Sequence, residues 1–251
     1  GLIYAVMIMN KDMNTYDDLD GLPEITWVDP KVIHIASLVT NAFENGNKVF
    51  GYAACQDIGD MRGFTVRIYL FICEISQLNS CDIIQRASTA GLESFCESWK
   101  KEACSDDQLF AIFQKQWTLN SYLFPSARFA AGVGITSLLS QLIFYDTIIQ
   151  HGYQFVEPKI NMMRILNLTG TRGENESEKS YFTRFLTIRR QSQYCYPDNV
   201  WPLSATRIMD FQNLVNNFDT NRGLQAAISL PHFGQVITGD ERDGKDVSRC
   251  L

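Results

Sequence analysis

Asp57-Ile58-Gly59-Asp60-Met61-Arg62-Gly63-Phe64-Thr65, read together with Phe43-Glu44-Asn45 upstream, is the stretch that decides the reading of this chain. Gly59 and Gly63 bracket a turn, since glycine tolerates the positive φ that turns demand. Glu44 stands sixteen positions before Asp60, at the end of an apolar-periodic segment running from Val32 to Phe43. A carboxylate ending a helix and a second one in the next turn can face each other across a cleft. That arrangement suits hydrolysis of a glycosidic bond, in which one carboxyl protonates the leaving oxygen and the other handles water or the sugar carbon. Spacing alone is weak evidence, because most acids so separated are solvated surface groups. The surrounding words have to carry the case.

Working outward, Lys31 to Phe43 has helical periodicity and stops near Asn45-Gly46. Residues 10–30 form an irregular polar lead-in. Residues 48–73 are rich in β-branched and aromatic types and predict a small sheet or hairpin, with 64–72 extended. Beyond it, Asp82 to Ser98, Gln108 to Asn120 and Ser126 to Gln150 predict helices. The last reads as one long central helix, its small residues Ala127, Ala130, Ala131, Gly132 and Gly134 allowing close approach by neighbours, with His151-Gly152 ending it. Residues 167–180 read as a loop, Tyr181 to Tyr194 as helix, Pro197 to Pro202 as a break and Thr206 to Asn217 as a further helix. The fold class is therefore α+β and mainly helical, with a small β-sheet in the N-terminal third. Two lobes would leave a cleft, the sheet forming one wall and the helix ending near Glu44 the other.

The bulk properties narrow the partners. A net charge of −6 without a basic patch excludes nucleic acid and favours a cationic ligand. No run approaches the roughly 18–20 apolar residues of a membrane span. Leu2 to Met9 could be a strand, a buried arm or the remnant of a leader, and a mature chain whose leader is gone is the preferred reading. Seven cysteines without a CxxC pair argue for disulfides over zinc. With the acceptor tripeptides starting at Asn167 and Asn175, they predict a secreted glycoprotein with up to three disulfides. Spacing does not fix the pairing, although Cys73–Cys81 and Cys96–Cys104 would be short local loops; the odd cysteine is free or pairs between chains, and Cys250 is the natural suspect. His34, His151 and His232 are too scattered to ligate a metal and read as surface or helix-end residues. No cofactor motif is present. Trp201 and Tyr52 are candidate sugar-stacking platforms.

The words themselves resemble the signature of family 46 glycoside hydrolases, the chitosanases, whose pattern runs approximately E-N, then D-I-G-D-G-R-G-Y-T-G-G. Tyr122 to Pro125 resembles the family's Y-F-D-P. Tyr145-Asp146 with His151-Gly152 resembles Y-D-A-x-x-x-H-G, Tyr181 to Arg189 resembles Y-L-x-x-F-L-D-x-R, and Thr206-Arg207 resembles S-R-V-D. The resemblances occur in the family's order from about residue 30 to about residue 220.

The resemblance implies a lysozyme-like fold of two lobes over residues 31–238, between a lead-in at 1–30 and a charged, flexible tail at 239–251. It implies endo-acting, inverting hydrolysis of β-1,4-linked glucosamine polymers, so a cationic amino-sugar polysaccharide is the partner. Glu44 takes the place of the general acid, Asp60 that of the base that activates water, and Thr65 that of the residue orienting this water. An inverting pair stands roughly 6.5–9.5 Å apart to admit that water. Arg207, Asp146 and Arg189 fall on a buried ionic network that braces the acid from behind, or that chiefly joins the lobes. On the substrate side, Arg62 pins the turn and Tyr122 opens its tetrapeptide. Asp82 either receives an amino group of the sugar or N-caps a helix. The acid–base pair is kept while the substrate-binding surface departs from the pattern. Met61 replaces a turn glycine, Val66-Arg67 replace G-G, Phe124 replaces an acid, and residues 72–80 are lengthened with two cysteines. An extracellular protein of this ancestry that has lost chitosan hydrolysis is the alternative those changes raise.

Overall fold

The structure, a computed structural model, describes residues 19–46, 48, 53, 55–57, 64–66, 92–105, 109–153, 159–199 and 201–241; for 56, 57, 64–66 and 111 it describes the backbone alone. Asp60, Arg62 and Asp82 lie outside the described residues, as do Tyr52, Met61 and Arg67. The chain divides into two compact units. One comprises Gly1–Asp17, Val49–Thr118 and Asp243–Leu251; the other comprises Asp18–Lys48 and Leu119–Arg242.

In the first unit, β1 (Cys55–Asp57) and β2 (Phe64–Val66) pair antiparallel, with Asp57 opposite Phe64 and Gln56 opposite Thr65. The hairpin anticipated from β-branched composition is therefore present, and its connection is the stretch 58–63. Helix α2 (Phe95–Ala103) buries Phe95, Trp99 and Ala103, four residues apart along one face. Trp99 stands edge-on to Phe110 of α3 (Leu109–Thr118), ring centres 4.6 Å apart. A disulfide between Cys55 and Cys96 ties β1 to α2 with 5.3 Å between Cα atoms. Cys104 is disulfide-bonded as well. A Cys96–Cys104 pair is thus ruled out, and helix geometry says why. Cys96 opens α2 and Cys104 caps its end, so a rise of about 1.5 Å per residue puts them some 12 Å apart, beyond disulfide reach.

The second unit is built on helices. Helix α1 (Pro30–Asn45) starts where Asp29 accepts a hydrogen bond from Lys31 N and proline fills the first helical turn. It ends where Gly46 takes φ +67°, its N–H reaching Ala42 O. Val32, Ile35, Ala36, Leu38, Val39 and Phe43 are buried, and the helix packs on α5. A π-helical turn, Leu119–Leu123, leads into α4 (Phe124–Gly132), and α5 spans Leu138–His151. The single central helix expected over 126–150 is therefore two helices. Gly134 adopts φ +68°, with Ile135 N–H bonded to Ala130 O and Gly134 N–H to Ala131 O, which is a Schellman stop. Ser137 then restarts the helix by accepting from Ser140 N. Of the two glycines, only Gly132 serves close approach, since a Cβ there would meet Leu22 Cδ2 at 2.8 Å.

Helix α5 is buried on nearly every side, from Leu139 to His151. Around it lie α6 (Met162–Thr169), which takes the first residues of the stretch read as a loop, and α7 (Glu178–Tyr194), N-capped by Ser177. A 3-10 turn, Trp201–Ser204, precedes α8 (Thr206–Asn216) and the short α9 (Phe218–Asn221). A second hairpin, β3 (Ile228–Leu230) and β4 (Gln235–Ile237), was not anticipated. Its inner face buries Ile228, Leu230 and Ile237. Ile228-Ser229-Leu230 alternates buried and exposed, but over only three residues. Residues 239–241 are tied down, since Glu241 accepts from Lys48 Nζ at 2.9 Å and from the N–H groups of Thr238 and Gly239. Among the described residues, no helix is long and apolar enough to cross a membrane.

The Cys55–Cys96 bridge spans 41 positions, and loop-closure entropy then assigns it about 4 kcal/mol. Replacing both cysteines by alanine is expected to lower the urea unfolding free energy by roughly that amount; equilibrium denaturation of the two proteins measures it.

Candidate functional site

Glu44 sits in the last turn of α1, its side chain 36% exposed, and is gripped by a guanidinium from below. Arg207 Nη2 of α8 donates to Glu44 Oε1 at 2.5 Å, while Arg207 Nη1 lies 3.4 Å from Asp146 Oδ1 on α5. On the far side of Asp146, Arg189 Nη2 of α7 donates to Oδ2 at 2.7 Å. Asp146 and Arg189 are 0% exposed and Arg207 5%. Two carboxylates and two guanidinium groups therefore alternate along one line, and their formal charges cancel.

Physical necessity explains the pattern. An unpaired carboxylate inside an all-round buried helix is costly enough that it is paired or neutralised. One guanidinium would satisfy Asp146; the second is satisfied by Glu44, the only exposed member. Desolvation lowers the pKa of Arg189 from its usual value, and the adjacent Asp146 opposes that shift. All four residues belong to the second unit.

Sequence reasoning missed the polar extension behind Arg189. Arg189 Nη2 also donates to Gln150 Oε1 at 2.6 Å, and Gln150 Nε2 donates to Ser204 Oγ at 2.7 Å. Gln193 Nε2 lies 3.2 Å from Gln150 Oε1 and 3.3 Å from His151 Nε2. Gln150 follows Asp146 by four positions on α5, as Gln193 follows Arg189 on α7, so helical spacing was the available signal. His151 ends its helix as expected, but it is fully buried and is not a surface residue. Its pKa is held well below the ordinary value, first by burial and then by Arg189 and Arg207, so the imidazole is neutral.

The remaining candidates separate clearly. Thr65 lies on β2 opposite Gln56. Tyr122 lies in the π-helical turn, where desolvation and the neighbouring Tyr145 and Tyr153 raise its pKa and keep the phenol neutral. Asp60, Arg62 and Asp82 fall outside the described residues. Trp201 is not a sugar platform: it is 8% exposed and wedged edge-on between His151 and Tyr196, at 6.4 and 5.2 Å. Among the described residues the free thiol is Cys195, exposed at the C-terminal cap of α7; Cys250 lies outside them. It borders a groove of about 990 Å³ between α7 and α8, whose lining includes Leu186, Arg190, Tyr194 and Met209 but no member of the ionic network. No trio of His, Cys, Asp or Glu among the described residues could hold a metal ion.

A carboxyl at a helix end, held by a buried arginine–aspartate–arginine line in a mainly helical α+β protein, defines a class. The model of glycosyl hydrolase family 46 matches residues 71–213, more than half of the chain, and the chain belongs to that family. It is a glycoside hydrolase by that membership. A chitosanase of Bacillus subtilis (strain 168) is 23% identical, the match covering 74% of this chain and 78% of that one. Among solved structures, the family 46 chitosanase GsCsn46A of Gynuella sunshinyii, in complex with chitotetraose, superposes with a TM-score of 0.69 at 21% identity. That match covers 84% of this chain and 98% of the other. A mutant chitosanase of Bacillus subtilis MY002 complexed with 6 GlcN gives 0.69 at 19% identity, covering 84% and 100%. The fold is thereby the lysozyme-like one of these enzymes.

Two outcomes follow from the buried network. Replacing Asp146 with asparagine leaves two guanidinium groups short of a counter-charge and is expected to cost about 3–5 kcal/mol in chemical denaturation. His151 protonates near its ordinary value in the unfolded chain but not in the native one, so stability should fall as pH drops through that value. Between pH 7 and pH 5 the loss amounts to as much as about 2 kcal/mol, and His151→Gln should remove that part of the pH dependence; urea titrations at both pH values test it.

Proposed function

We propose that this chain is an endo-acting chitosanase that hydrolyses β-1,4-linked glucosamine polymers with inversion. Glu44 acts as general acid and Asp60 as general base on the attacking water, which Thr65 helps to orient. The observation that carries this reading is Glu44, presented at the end of α1 and locked by Arg207 to Asp146 and Arg189, in a member of a chitosan-cleaving family. The acid of a glycosidase has to deliver its proton to one oxygen of the scissile bond, so its orientation counts as much as its proton. A bound guanidinium at 2.5 Å fixes the carboxyl plane and leaves the other oxygen to face substrate.

Relatives support the substrate class: one solved neighbour holds chitotetraose and another 6 GlcN. The chain's net charge of −6 suits a polycation. Arg62 holds the turn carrying Asp60, and Asp82 and Tyr122 serve the substrate side. The paired cysteines and the acceptor tripeptides fit an extracellular, glycosylated protein. Asn167 and Asn175 are both exposed, as an acceptor must be. A second reading is favoured by one observation, the replacement of the family's G-G by Val66-Arg67 in the sequence. Under it the chain retains the sugar-binding fold without cleaving chitosan.

Release of reducing ends from chitosan separates the two readings. The enzyme reading expects activity that falls by at least about 100-fold in both Glu44→Gln and Asp60→Asn, as loss of general acid or base catalysis requires. NMR of the first product should show the α-anomer. Activity untouched in both variants refutes the mechanism, and a silent wild type that still binds chitosan establishes the second reading.

A further inference from the structure

The residue before Glu44 is held by a second device, one turn along α8 from Arg207. Arg207 and Asp210, three positions apart, point from the same side of that helix. Asp210 is completely buried, and its Oδ1 accepts twice from His232, from Nδ1 at 2.5 Å and from the backbone N–H at 3.3 Å. Its Oδ2 has no partner among the described residues. Nδ1–H is available to Asp210 in the imidazolium and in one neutral tautomer, so the bond does not require a charged ring. The His232 side chain remains 31% exposed.

His232 lies in the 3-10 turn Pro231–Phe233 between β3 and β4, and its neighbour Phe233 presses on Phe43 with ring centres 4.7 Å apart. Phe43 also stands edge-on to Phe211 at 5.4 Å and carries the Arg207 guanidinium over its face at 4.9 Å. The same hairpin reaches the end of α1 twice more. Gln235 Nε2 donates to Gly46 O at 3.0 Å, and Lys48 Nζ donates to Val236 O at 2.8 Å. The turn is thus a clamp on the last turn of α1, from Phe43 to Gly46, and its one buried ionisable anchor is Asp210.

We propose that His232, through its bond to Asp210, is a positioning residue for Glu44, pinning Phe233 against Phe43 so that the carboxyl stays in register with Arg207. This role rests on Glu44 being the general acid. A bond to Arg207 alone fixes one point of that side chain. The Phe43 wedge fixes the backbone from which it springs, and sub-ångström placement is what proton delivery needs.

The test uses the full chain with His232→Ala and with His232→Asn, whose amide nitrogen can stand in for Nδ1. In the alanine variant kcat on chitosan should fall about tenfold with KM within about twofold, well short of the roughly hundredfold cost of a 1 Å misplacement. The Gly46 amide, bonded to Ala42 O, should exchange about tenfold faster, while amides of α5 keep their rates. His232→Asn should recover both quantities. Wild-type values for either quantity in His232→Ala, or no recovery in His232→Asn, overturn the proposal. If the wild type does not cleave chitosan, the enzyme reading fails on that result, and the exchange rates still decide whether the clamp exists.

Discussion

The structure of the second unit depends on one buried carboxylate. Asp146 lies within a helix that is buried on nearly all sides, its neighbours Leu142, Ile143, Phe144 and Ile148 on that helix being buried as well. A lone charge in that setting would unfold the helix or lose its ionisation, because the medium around it cannot solvate it. Two guanidinium groups, one from α7 and one from α8, resolve the problem. They do so at the cost of an extra positive charge, and the carboxyl of Glu44 offsets it. The site is in this sense the surface end of a core interaction.

This arrangement couples function to packing. Replacing such a network by apolar side chains of equal volume can leave a protein as stable or more so, so its retention calls for a reason other than stability. The reason offered by the geometry is orientation. Arg207 touches Asp146, Glu44 and the face of Phe43 at once, and each contact removes a degree of freedom from the same guanidinium. Arginine suits the task better than lysine, since its planar fork can serve two carboxylates with fixed angles. The polar tail of Gln150, Gln193, Ser204 and a neutral His151 continues this restraint into the far side of the unit, Gln150 Oε1 accepting from Arg189 Nη2 while Gln193 and Ser204 hold Gln150. Hydrogen bonding there adds rigidity without adding charge.

Much of this was legible from residues alone, and the reasons differ by element. Helix α1 could be read almost to the residue because its apolar stripe and its stop at Asn45-Gly46 agreed, although the capping Asp29 and Pro30 at its start were read as part of the lead-in. The members of the ionic line could be named because the charged positions of their motif words are kept while several neighbours differ. The division between α4 and α5 was misread for a local reason. Gly134 was taken as a packing residue, whereas a Schellman stop depends on backbone hydrogen bonds that periodicity does not register. Cysteine pairing was not legible for a different reason: Cys96 and Cys104 are near in sequence but kept apart by the rigid helix between them. The second hairpin was hidden by its short strands, which are too brief for alternation to rise above chance.

By itself the sequence determined the family, the mainly helical class and the identity of the charged residues, since these follow from side-chain type and spacing along the chain. It could not say that Trp201 is core and not platform, that His151 is sealed and uncharged, or that the ionic line stays within one unit. Nor could it join His232 to Asp210, 22 positions apart, beside the phenylalanine that precedes Glu44. Such pairings are decided only when separate helices pack, because burial and the loss of water, not proximity in sequence, choose which polar groups must find one another.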